Sequence, residues 1–295
     1  MTTTPDRLLR RLEWRLGRRL DGRLQGAYRT VWHGTGLDFT DLRHYTPEDD
    51  VRHIDWNVTA RADEPYVRLY TEDREMTAWL VIDRSASMKF GQAAGKESTA
   101  TELAVSLGRV VSQGGNRVGA ILFDNDHHLV IPPRTGRDQI LRLTHELLRP
   151  SAPAKRGKTT DLSKMLHLAA ATTARRRSLI FVMSDFIGDP GWHKPLARLT
   201  HRHEVVVIRV VDPAELDLPD LGVILVEDAE TGEQLLVDTS DPLLRGRLSA
   251  QVDARETELA EGMRQAGVDA HRITTDQDLL ASLVTMVRRS GRVRR

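Results

Sequence analysis

Two apolar runs, Trp79-Leu-Val-Ile-Asp83 and Leu179-Ile-Phe-Val-Met-Ser-Asp185, each close on an aspartate. A short run without polar alternation reads as a strand buried on both faces. Such strands belong to mainly parallel sheets with helices packed on each side. Ligands in these sheets bind at the carboxyl ends of the strands. Two carboxylates at strand ends of one sheet can face each other across a crevice.

The rest of the chain from Met76 onward keeps the same rhythm. The pattern predicts strands over Thr77–Asp83, Arg117–Phe123, His128–Ile131, Ser178–Ser184, Glu204–Val211 and Asp269–Ile273. Amphipathic spacing predicts helices over Glu97–Gln113, Arg137–Leu148, Asp161–Ala174, a stretch near Trp192–Thr200, Pro242–Ala266 and a closing helix Asp276–Arg289. Val223–Val226 and Gln234–Val237 read as a hairpin around Glu230-Thr-Gly-Glu233. The expected fold is therefore α/β, three-layered, with a mainly parallel sheet and helices on both faces.

The first 75 residues differ. Leucines 8, 9, 12, 16, 20 and 24 make an apolar stripe over Asp6–Gln25, with arginines opposite. Residues 34–75 are rich in charge and rings and show poor periodicity, with Tyr66–Tyr70 the one alternating stretch. We expect residues 1–75 to be a helix and loop extension packed on a main domain spanning 76–295.

Cysteine is absent, which excludes disulfides, zinc–thiolate sites and cysteine nucleophiles. No run approaches the length of a membrane-spanning helix, and Met1–Arg23 lacks the apolar segment of a signal peptide. These absences lead us to expect a cytoplasmic protein. Net charge is +1, but arginines crowd both ends, at 7, 10, 11, 15, 18, 19, 23 and 29 and at 288, 289, 292, 294 and 295. Basic ends can meet nucleic acid or anionic membrane. The plainer reading is a solvated helix face and a frayed tail.

After Asp83 the spacing is Asp83-x-Ser85-x-Ser87. A strand that stops at one carboxylate and two hydroxyls delivers three oxygens to one point. Thr159 or Thr160, just before a helix, can add a hydroxyl, and Asp185 a second carboxylate, directly or through water. Oxygen ligands suit a hard dication, Mg²⁺ or Mn²⁺, and Mg²⁺ keeps water readily. A position left open on the metal can accept a carboxylate from another protein.

This constellation resembles the metal-ion-dependent adhesion site of von Willebrand factor type A domains, over roughly Thr77 to Ile273. The resemblance implies metal ligation by Asp83, Ser85, Ser87, Thr160 and Asp185. Thr160 is favoured over Thr159 because Asp161 follows it. Upstream, Gly36-Leu-Asp-Phe-Thr-Asp-Leu-Arg43-x-Tyr45, then Asp49-Asp50-x-Arg52-x-Ile54-Asp55-Trp56 and Ala60-Arg61, is similar to the signature of the bacterial family called domain of unknown function 58. That family sets its signature before a type A domain. The resemblance implies a binding module without catalysis, acting as adaptor or co-chaperone of a MoxR-type AAA ATPase. Physically, Asp49, Asp50 and Asp55 among Arg43, Arg52 and Arg61 suggest arginine–carboxylate forks in a rigid loop, serving as scaffold or as docking rim.

Other motifs are weaker. Gly157-Lys158-Thr159 resembles the end of a phosphate-binding loop, but Ala152 stands where that loop needs glycine. An aspartyl phosphatase would want a carboxylate at position 85, which is Ser85. A Mg²⁺-dependent phosphoester hydrolase built on Asp83 and Asp185 stays as the enzymatic alternative, and a nucleic-acid or anionic-membrane binder as the third. His127-His128 and His201-x-His203 lack zinc-site spacing and read as surface histidines near strand starts.

Overall fold

The computed structural model describes residues 37–47, 49–62, 64–72, 76–89, 95–124, 127–150, 160–217, 220–227, 233–279, 281–283 and 285–286. The expected helix over Asp6–Gln25, Thr159 and the lysine loop at 157–158 lie outside them, as do the basic ends.

The main sheet has six strands: β3 (Thr77–Asp83), β4 (Arg117–Phe123), β5 (His128–Arg134), β6 (Leu179–Ser184), β7 (Glu204–Val211) and β10 (Ala270–Thr274). Their spatial order is β10-β7-β6-β3-β4-β5. All neighbours are parallel except β4 and β5, which form an antiparallel edge. From β3 the chain winds outward to β4 and β5, then returns to the other side of β3 to lay down β6 and β7. The direction of winding thus reverses between β3 and β6. Their carboxyl ends make the crevice in which sheets of this kind take ligands.

Five helices lie against the sheet or its covering layers: α2 (Lys96–Gln113), α3 (Arg137–Leu147), α4 (Leu162–Thr173), α5 (His193–Arg202) and α7 (Pro242–Gln265). Side chains alternate across each strand, so two separate cores form. Ala78, Leu80 and Ile82 of β3 pack with α2, α3 and the C-terminal residues Leu283 and Met286. Trp79 and Val81 pack with α4, α5 and the C-terminal part of α7. This is the three-layer α/β fold expected from the apolar runs.

Local chemistry explains several boundaries. Asp161 caps α4, its side chain accepting from the Lys164 N–H at 2.8 Å. Asp241 caps α7 in the same way, through the Leu243 N–H at 2.8 Å. Strand β5 runs past the expected end at Ile131 through Pro132 and Pro133. Prolines are tolerated there because β5 is an edge strand, and the Pro132 carbonyl instead accepts from Gln139 Nε2 at 2.9 Å. Gly119 in β4 lets the sheet close at this edge, because an added Cβ would lie 2.9 Å from the Trp79 ring and 3.0 Å from the Ile131 carbonyl.

Among the first 75 residues the alternating Tyr66–Tyr70 stretch is a strand, as its pattern suggests, and the structure adds further elements that poor periodicity concealed. Strands β1 (Leu37–His44) and β2 (Tyr66–Glu72) pair antiparallel in a two-stranded sheet of their own, with a register shift between Phe39 and Asp41. Between them lie a 3₁₀ turn at Val51–His53 and helix α1 (Trp56–Ala62). Among the expected arginine–carboxylate pairs, Arg43 meets Asp49 at 2.5 Å, and Arg52 Nε lies 3.7 Å from Asp50, which also accepts from the Arg52 backbone N–H at 3.0 Å. Asp55 is buried and caps α1 through the N–H groups of Asn57 and Val58. The remaining pair, β8 (Val223–Glu227) and β9 (Gln234–Asp238), is the expected hairpin. Helix α6 (Pro213–Leu216) follows β7 directly.

Candidate metal centre at the ends of strands β3 and β6

Asp83 is the last residue of β3 and is 1% exposed. Its Oδ1 accepts from the Ser85 N–H at 2.9 Å, which folds the following turn back on the carboxylate. The Ser85 and Ser87 hydroxyls then lie 3.0 Å apart, both buried. Three side chains of the Asp-x-Ser-x-Ser stretch are therefore brought together as expected. The intervening Arg84 points away and anchors the turn. It holds Glu97 at 2.9 Å and donates to the Arg149 carbonyl at 2.6 Å.

Residues Ile82 and Met183 are register partners, so the next positions meet across the strand ends. The Ser184 hydroxyl donates to Asp83 Oδ2 at 2.6 Å, and its oxygen accepts the Phe186 N–H at 2.9 Å. Asp185, also 1% exposed, accepts from the Ile187 N–H at 2.9 Å through Oδ1. The loop after β6 is tightly wound. Phe186 has φ +58°, a left-handed conformation that costs a bulky residue about 1–3 kcal/mol. Its buried ring, edge-on to Trp192 at 5.0 Å, holds it there.

Thr160 is fully buried. Its carbonyl accepts from the Asp189 N–H at 3.0 Å and from the Leu162 N–H at 3.2 Å, binding the start of α4 to the loop after β6. Gly188 is required at this contact, since a Cβ there would sit 2.2 Å from the Thr160 carbonyl oxygen. Thr160 thus belongs to the same loop cluster as Asp185.

The electrostatics are those of crowded acids. Burial, then the Asp185 charge, push the Asp83 carboxyl up to about 7, against the lowering effect of its Ser184 and Ser85 hydrogen bonds. A cation beside both groups would reverse that balance. Each carboxylate oxygen named above accepts a hydrogen bond and carries two lone pairs. The donor set of two carboxylates and serine and threonine hydroxyls fits a hard dication. Among the described residues no cluster of three or more His, Cys, Asp and Glu side chains is placed to hold a metal, so hydroxyls must complete any such shell.

Several residues around the site carry no motif and were missed from sequence: Ser184, Gly188, Lys96 and Glu215. Lys96 is the first residue of α2 and is 0% exposed. Its Nζ donates to Asp185 Oδ2 at 2.7 Å and to Glu215 in α6. One signal was available: a lysine in the first turn of a helix opposes the helix dipole and needs acidic partners. Of the histidines, His127, His128 and His201 are exposed as expected, and His203 departs from expectation. It is 4% exposed and lies between Thr173 and the Ser178 N–H.

A family model described as protein of unknown function DUF58 matches residues 41–258. The chain belongs to that family. The match takes in the signature segment from Asp41 onward and most of the α/β domain. This DUF58 chain is 38% identical over 291 residues to Uncharacterized protein Rv1480 of Mycobacterium tuberculosis strain H37Rv, covering 96% of the chain and 89% of that relative. It is 34% identical over 159 residues to Uncharacterized protein MAV169 of Mycobacterium avium, covering 54% and 92%. Among solved structures it is similar to an aerotolerance-related membrane protein of Bacteroides fragilis, at 17% identity and TM-score 0.49, covering 74% of this chain and 99% of that one. It is also similar to the SpRpn10 VWA domain, at 14% identity and TM-score 0.40, covering 71% and 93%. Likeness at that level carries nothing about residues or partners. Among the described residues of the DUF58 chain, no helix is long and apolar enough to cross a membrane.

Proposed function

We propose that this chain is a non-catalytic protein-interaction module. In this reading Asp83, Ser85, Ser87, Thr160 and Asp185 hold Mg²⁺ or Mn²⁺, and an acidic side chain of a partner protein completes the metal shell. The observation that carries the reading is the convergence of Asp83, Ser85, Ser87 and Asp185 at the point where the sheet reverses its winding. The chain's own residues orient the oxygens. The Ser85 N–H and Ser184 hydroxyl fix the Asp83 carboxylate, and the Ile187 N–H fixes Asp185. A bound dication would supply the positive charge that a partner's carboxylate seeks.

An adaptor or co-chaperone role beside a MoxR-type AAA ATPase follows from the sequence resemblance alone, and we propose it on that basis, in the cytoplasmic setting expected from the sequence. The enzymatic alternative asks for a general acid or base at the metal. The buried Lys96, held between two carboxylates, is badly placed to serve as one.

The test is thermal. Millimolar Mg²⁺ or Mn²⁺ should raise the melting temperature, because a ligand of the folded state stabilises it. The Asp83→Ala variant should lose the shift. A shift of equal size in the variant would reject Asp83 as a ligand.

A further inference from the structure

Lys96 raises a question that the metal reading leaves open. A fully buried ammonium is costly, and burying it at a helix N-terminus adds the repulsion of the helix dipole. Two carboxylates hold it there, Asp185 at 2.7 Å and Glu215. Asp185 is therefore shared: its Oδ1 side is turned by the Ile187 N–H and its Oδ2 carries the ammonium. Glu215 is itself fixed, because it is the reciprocal partner of Asp212 in the capping box of α6. Asp212 in turn accepts from the Thr275 hydroxyl at 3.1 Å. The ammonium is thus wired to β6, to α6 and to the segment after β10.

Charge counting gives the consequence. With all three ionised, as a bound dication would hold them, Asp83, Asp185 and Glu215 against Lys96 leave a net charge of −2. A dication neutralises that charge. Without the ammonium the same dication would face −3, and the loaded site would repel a carboxylate.

We infer that Lys96 is a built-in counter-cation of this site, which takes up the charge of Asp185, weakens the site's hold on a divalent ion, and leaves the bound ion positive enough to accept an acidic side chain. Lys96 is a positioning residue in this scheme, acting through Asp185. The inference rests on the metal reading above, and its test separates the two.

Mn²⁺ is titrated calorimetrically into wild type, Lys96→Met, Lys96→Arg, Glu215→Gln and Asp83→Ala, with the metal-free melting temperature of each recorded as a check of folding. Lys96→Met should bind Mn²⁺ about tenfold tighter or more, since one positive charge has left a buried site. Lys96→Arg should stay within about threefold of wild type, because the charge returns. Glu215→Gln should bind more weakly, because one negative charge then leaves the group of carboxylates around the ammonium. That last variant decides the matter if Lys96→Met does not fold. Wild type silent and Lys96→Met binding would also support the inference, with the ammonium standing in for metal. Binding abolished by Asp83→Ala but unmoved or weakened by Lys96→Met, or unmoved by Glu215→Gln, would overturn the inference and leave the metal reading intact. Silence in every variant would overturn both.

Discussion

The Ser184 hydroxyl donates to Asp83 Oδ2 across 2.6 Å, tying the ends of two strands that lie 101 positions apart in sequence. The bond is fully buried, and Ser184 passes it on by accepting the Phe186 N–H. It therefore sets both the carboxylate of β3 and the strained loop after β6. Ser184→Ala leaves a buried carboxylate oxygen and a buried N–H short of a partner. We expect a loss of about 1–3 kcal/mol of stability in chemical denaturation. An unchanged midpoint would show that the bond does not hold the site.

Gly188→Ala tests the packing of the Thr160 loop. The added methyl would lie 2.2 Å from the Thr160 carbonyl oxygen, so one backbone segment must move. Overpacking of this kind costs about 1–3 kcal/mol. Displacement of Thr160 should also reduce the Mn²⁺-induced melting shift relative to wild type. Wild-type stability together with a full shift would mean that the loop yields freely.

His203 predicts a pH dependence away from the metal centre. Burial, then Arg202 and Arg177, hold its imidazole below the usual value. The Ser178 N–H points at Nδ1 from 3.3 Å, so a proton on Nδ1 would face a donor. The sign follows. The unfolded chain takes up this proton near pH 6.5, the folded chain only at lower pH. The contribution is complete above about pH 6.5 and is lost as pH falls toward the folded value. His203→Gln should flatten the decline in stability between pH 7.5 and 5.5. An equally steep decline in the variant would assign it to other groups.

The apolar runs were enough to read the sheet, because strands buried on both faces leave a pattern that no solvent-exposed element imitates. Every strand of the main sheet lies within a few residues of its expected place. The hairpin of β8 and β9 was also legible, from two short runs on either side of Glu230-Thr-Gly-Glu233. Strand β1 was not, since its sequence Leu37-Asp-Phe-Thr-Asp-Leu-Arg-His44 carries charge at several positions and a register shift that breaks the period. At the site, Asp83, Ser85 and Ser87 share one turn, and spacing exposes them. Ser184 and Lys96 act across the fold, from partners 101 and 89 positions away, and no local pattern encodes that.

In the proposed function a metal bridges this chain to an acidic partner. The most direct test of that bridge is retention of the MoxR-type ATPase from the source organism on the immobilised protein. Retention is expected in Mg²⁺, with loss on adding a chelator and loss with Asp83→Ala. Retention that survives both the chelator and Asp83→Ala would contradict the metal bridge.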